Sequence, residues 1–207
     1  MIRENVPRAV LVTGAVRRIG AAIAHRLHAA GNNLILHGRS ASPEIEALAA
    51  QLNAARANSA TVLLADLQDL DALAHLAREA HARWGRLDGL VNNASHWEAT
   101  PLGTLSGMQF DRLIASNLRA PLFLSQACAP LLADGGCIVN LLDVHARRPI
   151  AGFSAYLATK AGLWTLTEAL ALELAPRLRV NGVAPGLMSA EQTQFSTDQL
   201  ESEKTRI

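Results

Sequence analysis

The stretch Ala9-Val10-Leu11-Val12-Thr13-Gly14-Ala15-Val16-Arg17-Arg18-Ile19-Gly20 passes from an apolar run, through a glycine-spaced loop, into a helix-forming run. Ala9 to Thr13 reads as a buried strand stopped by Gly14, and Ile19 to Ala30 as a helix closed by Gly31-Asn32. Gly14 permits a tight turn. Gly20 lets the helix sit close to the strand, so that the first helical amides face an anion. A glycine-spaced loop alone fits an ordinary turn before a helix equally well. Between a strand and a helix, opening a βαβ unit, it predicts a phosphate-binding loop.

The same alternation continues down the chain. Leu34 to His37 reads as a second strand, and Ser42-Pro43-Glu44 starts a helix that runs to about Ala57, with Pro43 at its first position. Ala60 to Ala65 is a third strand, Asp69 to Trp84 a helix ended by Gly85, and Leu87 to Val91 a fourth strand. Met108 to Leu132 reads mostly as helix with a bend at Pro121. Cys137 to Leu142 is a fifth strand, Ser154 to Leu174 a long helix, and Leu178 to Val183 a sixth strand. Strands joined by helix-length crossovers predict an α/β fold, a doubly wound parallel sheet with helices on both faces. Ligands of such sheets bind beyond the carboxyl ends of the strands, so the residues just after each strand are the candidates. Residues 1–188 are expected to form this domain. The polar segment 189–207, with Ala190, Phe195, Leu200 and Ile207 as its apolar residues, is expected to be lid-like or disordered.

Composition excludes several classes. The 207 residues are 50% hydrophobic and 18% charged, which suits a packed domain and excludes a disordered chain. Nineteen basic against eighteen acidic residues leave a net charge of +1, with no pull toward nucleic acid or an anionic membrane. Two cysteines, Cys128 and Cys137, without metal-ligand spacing, exclude a disulfide scaffold or a zinc ribbon and suit a reducing compartment. The apolar runs are too short to span a bilayer, and Met1-Ile2-Arg3-Glu4-Asn5 lacks the order of a signal peptide. A cytoplasmic protein without a metal site is expected.

At the second strand's end stands His37-Gly38-Arg39-Ser40. A dinucleotide with a free 2′-hydroxyl usually meets an acid about 20 residues beyond the glycine loop. Here the first acid is Glu44, while Arg39 and Ser40 follow the strand and Arg17 and Arg18 sit on the loop. Guanidinium groups grip a dianionic 2′-phosphate, so the pattern favours NADP(H) over NAD(H). Asp66, in Ala65-Asp66-Leu67 after the third strand, fits an acceptor for an adenine amino group or a helix cap equally well. Asn92-Asn93-Ala94-Ser95 follows the fourth strand, where asparagine either ties strand ends together or lines a cofactor.

Tyr156 is the only tyrosine, and Lys160 lies four residues on, which places both on one helix face. An ammonium beside a phenol favours the phenolate, so Lys160 is expected to lower the Tyr156 pKa from about 10 and fit it for proton transfer. The same helix carries Leu163, Thr167, Leu170 and Leu174 at helical spacing, surrounded by Ala155, Ala158, Ala161, Gly162, Ala169 and Ala171. This pattern fits close packing, against its own sheet or against a second copy.

Taken together, Thr13 to Gly20 as TGxxxxxG, Asn92-Asn93-Ala94, Asn117, the Tyr156/Lys160 pair and Pro185-Gly186 resemble the short-chain dehydrogenase/reductase family over roughly Arg8 to Gly186. The resemblance implies a Rossmann-type sheet and hydride transfer with a nicotinamide cofactor. It implies Tyr156 as proton donor, Lys160 on the nicotinamide ribose and tuning Tyr156, and Asn117 holding a water of the proton relay. By the same resemblance Gly14, Arg18, Ile19, Gly20, His37, Arg39, Ser40, Asp66, Leu67, Asn93, Ala94, Tyr156, Lys160, Pro185 and Gly186 are expected around NADPH. A homo-oligomer, usually a tetramer, is also implied.

Two departures narrow the likeness. Arg18 stands where the family usually has glycine, and Asp143, thirteen residues before Tyr156, where it usually has serine. Both are similar to the pteridine reductases, as are His37, Arg39-Ser40 and Asn92-Asn93-Ala94-Ser95-His96-Trp97. That likeness implies Trp97 stacking on a flat pterin, with Ser95, Asp143 and Tyr156 completing the substrate end, and Asp143 assisting Tyr156 as it protonates a ring nitrogen. Asp143 as a loop cap and Trp97 as a plug of the core are the plainer alternatives. The expected function is NADPH-dependent reduction of a dihydropterin, extending to dihydrofolate or dihydrobiopterin. The alternatives are a carbonyl reductase, such as one acting on 3-oxoacyl thioesters, and a non-catalytic NADP-binding module. The family's C-terminal helix and seventh strand have no counterpart in the sequence, and the fold is expected to lack that strand.

Overall fold

The computed structural model describes residues 6–186. The polar segment 189–207 lies outside the described residues. Six parallel strands form one sheet in the order β3-β2-β1-β4-β5-β6. They are β1 (Ala9–Val12), β2 (Asn33–Gly38), β3 (Ala60–Leu64), β4 (Leu87–Asn92), β5 (Leu132–Leu141) and β6 (Arg179–Val183). Every residue of β1 and β2 is buried, which is why these strands read as unbroken apolar runs rather than alternating ones. The helices are α1 (Arg18–Ala29), α2 (Pro43–Ala55), α3 (Leu70–Ala82), α4 (Gly107–Ile114), α5 (Ala120–Cys128) and α6 (Ser154–Leu174). One face of the sheet packs Leu11, Ile35, Leu90 and Ile138 against Leu73 and Leu76 of α3, Leu124 of α5 and Leu170 of α6. The other packs Val12, Leu34 and Leu36 against Ala24 of α1 and Ile45 and Leu52 of α2. Strand order reverses between β1 and β4, and the crevice at that reversal opens over the strands' carboxyl ends.

Local chemistry sets the helix starts. Ser42 caps α2 through the Ile45 amide, with Pro43 in its first turn. Asp69 caps α3 through the amides of Asp71 and Ala72. Ser106 and Gln109 form a reciprocal capping box on α4. α1 is different: its N-cap, Arg17, makes no side-chain cap hydrogen bond, and no acid stands in its first turn.

The structure corrects three expectations. The single helix Met108–Leu132 is broken: α4 ends at Ile114, a π-helical turn occupies Ala115–Arg119, α5 follows, and Ala129–Leu131 is a 3-10 turn. Pro121 has no amide hydrogen to continue the ladder, and instead of a bend the chain inserts the wider turn just before it, with the Ala120 amide on the Ala115 carbonyl. β5 begins at Leu132, five residues earlier than expected, and accommodates Gly135 at φ +78° with a register shift opposite Leu87 and Gly89. The α3 cap is Asp69, so Asp66 is not a helix cap; its carboxylate takes the Gln68 amide at 2.9 Å within a turn. β3 and β6 are the outer strands among the described residues, and on β6 Val183 is 51% exposed. No helix of the described residues is long and apolar enough to cross a membrane.

Candidate active site

Thr13 at the end of β1 ties the crevice together. Its hydroxyl donates to the Val91 carbonyl at 3.2 Å and accepts from the amides of Asn93 and Ala94 at 2.9 and 3.0 Å. The Asn93 side-chain amide donates to the carbonyls of Thr13 and Gly14. Asn92 faces the other way, into a buried chain in which it donates to Asn140 at 2.8 Å, Asn140 donates to Thr167 at 2.9 Å, and Thr167 donates to the Leu163 carbonyl. The pair at the end of β4 therefore divides the work: Asn92 joins strand ends to α6, and Asn93 fixes the glycine loop.

A cleft of about 740 Å³ runs along this edge. At one end it is lined by Gly14, Arg17, Arg18, Ile19, Gly20, His37, Arg39, Asp66, Leu67, Asn93 and Ala94, and at the other by Ser95, Trp97, Asp143, Tyr156, Lys160, Pro185 and Gly186. The expected residues thus fall in one cleft, with two exceptions. Ser40 is exposed and off the wall, and Asn117 is buried behind it. Gly14 adopts φ +61°, and a Cβ on Gly20 would lie 2.1 Å from the Gly14 carbonyl oxygen, so the loop and helix meet at a distance only glycine allows. Arg18 also lies in the left-handed region, at φ +52°. With α1's first amides uncapped, no acid in its first turn and Arg39 after β2, these residues fit the phosphates of a nicotinamide dinucleotide.

His37 is 2% exposed; its Nδ1 accepts from the Gly14 amide and its Nε2 faces the Ala65 carbonyl at 3.0 Å. The arrangement requires a neutral ring with the hydrogen on Nε2, and burial holds its pKa below the usual 6.5. His37 therefore clamps two loops of the cleft to each other, and its ring nitrogens serve those loops.

At the other end the Tyr156 hydroxyl donates to Asp143 Oδ2 at 2.7 Å, while Asp143 Oδ1 accepts from the His145 amide at 2.8 Å. Asp143 is thus both a loop cap and the partner of the tyrosine. The Lys160 ammonium, 4% exposed, donates to the Leu141 carbonyl at 2.8 Å and stands 5.9 Å from the Tyr156 ring centroid. This overturns the expectation that Lys160 lowers the Tyr156 pKa. Burial first, then the Asp143 charge and the hydrogen bond to it, push the phenol well above its ordinary value. Burial pulls Lys160 down to about 8, against the opposing pull of Asp143.

Asn117 is held wholly by protein. Its Oδ1 accepts from the His96 amide at 2.8 Å and from the hydroxyls of Ser95 and Ser116, and its Nδ2 donates to the His96 carbonyl and to Thr159. It braces the loop that carries Ser95 and Trp97 against α6, one residue before Lys160. Trp97 lines the cleft while stacked on Phe153, ring centroids 4.8 Å apart and planes at 23°. Sequence reasoning missed Gln68, His96, Arg112, Ser116 and His145 on the wall, and the Leu141 carbonyl. Neighbours of motif residues, such as Ser116 and His145, were within reach of the sequence. A backbone carbonyl leaves no mark in it.

The short chain dehydrogenase profile matches residues 8–201. Pteridine reductase 1 of Leishmania tarentolae is 36% identical over 217 residues, covering 86% of this chain and 75% of that protein. A 3-oxoacyl-[acyl-carrier-protein] reductase of Staphylococcus aureus is 33% identical over 202 residues, covering 96% and 82%. A crystal structure of a short-chain dehydrogenase/reductase, glucose/ribitol dehydrogenase, from Brucella melitensis superposes with a TM-score of 0.82 at 34% identity, covering 87% of this chain and 75% of that one. With its parallel sheet, glycine cradle and Tyr156/Lys160 site, the chain belongs to the short-chain dehydrogenase/reductase family of oxidoreductases.

Proposed function

We propose that the chain reduces a pterin ring, a dihydropterin such as dihydrobiopterin and also dihydrofolate, with NADPH. The observation that carries this reading is the Tyr156 hydroxyl on Asp143 Oδ2 at 2.7 Å. A hydroxyl at position 143 would serve to polarise a carbonyl. A carboxylate accepts from ring N–H and amino groups and exchanges protons with the phenol, which suits a nitrogen heterocycle. The 36% identity to a pteridine reductase supports the same choice.

The α1 amides, Arg18 and Arg39 would hold the phosphates of NADPH, and Lys160 the nicotinamide ribose. When bound, the cofactor supplies a hydride. Tyr156, kept neutral by its raised pKa, hands its proton to the substrate atom that becomes basic, with Asp143 exchanging protons with the phenol. Asp143 orients the hydroxyl and accepts from the substrate. Ser95 and Trp97 line the substrate end, where the planar Trp97–Phe153 stack offers a wall for a flat ring. Pro121 leaves one carbonyl of the Ala115–Arg119 turn without a helical donor, a place for the relay water proposed at Asn117.

The second reading is reduction of a 3-oxoacyl thioester, favoured by the 33% identical Staphylococcus aureus enzyme. We also propose a homo-oligomer, a tetramer as the family resemblance implies, located in the cytoplasm. Of α6's expected interface positions Ala155, Tyr156, Lys160, Leu163, Thr167 and Leu170 are buried within this chain, while Ala158 and Ala161 are exposed, as is Leu172. The test of function is the oxidation of NADPH, followed by absorbance, with dihydrobiopterin, dihydrofolate and a 3-oxoacyl thioester, and NADH as the control. Turnover of the pterin with NADPH and little with NADH is expected; turnover of the thioester alone would contradict the reading.

A further inference from the structure

We infer that Arg119, which lies outside the cleft, is a positioning residue for the adenosine half of the dinucleotide. The inference rests on the dinucleotide reading of the cleft and not on the identity of the substrate. If the phosphates lie on α1 and the 2′-phosphate on Arg39, the adenosine half extends over the ends of β2 and β3. The wall there is the turn that carries Asp66, Leu67 and Gln68. Within the turn, the Gln68 amide bonds the Asp66 carboxylate and the Asp69 amide the Asp66 carbonyl. Those bonds shape the turn, and the Leu67 side chain packs it against the core cluster that holds Leu73 and Leu76 of α3. Its first residue is fixed from β2, where the Ala65 amide reaches the Gly38 carbonyl at 3.1 Å and His37 faces the Ala65 carbonyl. Its far end runs into the Asp69 cap of α3, and Arg119 adds a bond to it from a distant element, its Nη2 donating to the Gln68 carbonyl at 3.0 Å across 51 residues of sequence.

Arg119 ends the π-helical turn that also carries Asn117. Two residues apart on a helical path, the side chains project to roughly opposite sides. Asn117 braces the 95–97 loop at the substrate end, and Arg119 the 66–68 turn at the adenosine end. One turn of helix therefore holds both walls of the cleft. Without Arg119 the Gln68 carbonyl is held less firmly, and ordering it when ligand binds subtracts from affinity.

The test is calorimetric titration of NADPH, adenosine 2′,5′-bisphosphate and reduced nicotinamide mononucleotide into the full chain, at low and high salt. The proteins are wild type, Arg119→Ala and Arg119→Lys, with thermal midpoints measured alongside. Arg119→Ala is expected to weaken NADPH and adenosine 2′,5′-bisphosphate about fivefold, the range of one lost hydrogen bond. It should leave the mononucleotide and the thermal midpoint unchanged, the loss should persist in high salt, and Arg119→Lys should recover part of it. Equal affinity of wild type and Arg119→Ala for the bisphosphate would overturn the inference. So would equal losses for both halves, a lowered midpoint, or a loss that salt abolishes, which would mark long-range charge attraction. Failure of the dinucleotide reading itself would look different: wild type would bind neither NADPH nor its adenosine half.

Discussion

Asp143 faces two ways, with Oδ1 on the His145 amide and Oδ2 on the Tyr156 hydroxyl. The Tyr156/Lys160 spacing was legible because a helix turns a four-residue interval into one face. The direction of the phenol's shift was not, because it depends first on burial and then on a carboxylate thirteen residues away. Lys160, with its pKa brought down to about 8 by burial, is an ammonium at neutral pH and loses its charge as pH rises through that value. If that ammonium holds the nicotinamide ribose as proposed, kcat/KM should fall with an alkaline limb near pH 8. A profile flat to about pH 10, the ordinary tyrosine value, would contradict this role.

Elements were read well where turn chemistry marks them and poorly where it does not. Ser42-Pro43 announced α2, and Gly14 and Gly20 announced the loop before α1. Nothing in Ala115 to Arg119 distinguishes a π turn from an α turn, and the effect of Pro121 was placed at the proline rather than before it. β5's early start was hidden because Gly135-Gly136 reads as a break. At Gly136, however, a Cβ would meet the Ala133 and Asp88 carbonyls at 2.7 and 3.0 Å, so glycine marks a close approach of strands. The same test sorts the helix glycines. Gly20→Ala would press a methyl onto backbone oxygen at 2.1 Å and should cost at least about 1–3 kcal/mol in urea unfolding and abolish NADPH binding. Gly107→Ala, which meets nothing within 4 Å at the start of α4, should change neither. Equal effects would show that loop packing is not what Gly20 provides.

Across the whole molecule, two buried histidines join elements at opposite ends of the sheet. His37 links loops at the carboxyl ends, and His28 Nε2 meets the Ser59 hydroxyl at 2.7 Å at the amino ends. Burial lowers both pKa values below 6.5, so below that pH the unfolded chain takes up protons that the folded chain resists. Stability should be full above about pH 6.5 and decline as pH falls below it. The Asp88 carboxyl, held low by Arg86 and the Ala9 amide against the cost of burial, loses its contribution only below the ordinary 3.8. Urea midpoints at about pH 7.5 and about pH 5.5 test this; equal midpoints would contradict it. The parallel architecture was legible from apolar runs spaced by helix-length segments. The buried Asn92–Asn140–Thr167 chain was not, since each residue alone reads as loop or surface polarity.

We propose that Asp143 fits the tyrosine to a nitrogen heterocycle. The rate of NADPH oxidation by wild type and Asp143→Ser, each with dihydrobiopterin and with a 3-oxoacyl thioester, alongside NADPH affinity, tests this. Expected are pterin turnover by wild type, a loss on the order of a hundredfold in Asp143→Ser with cofactor affinity unchanged, and no such loss on the thioester. Wild-type turnover of the thioester but not the pterin, or pterin turnover undiminished in Asp143→Ser, would contradict it.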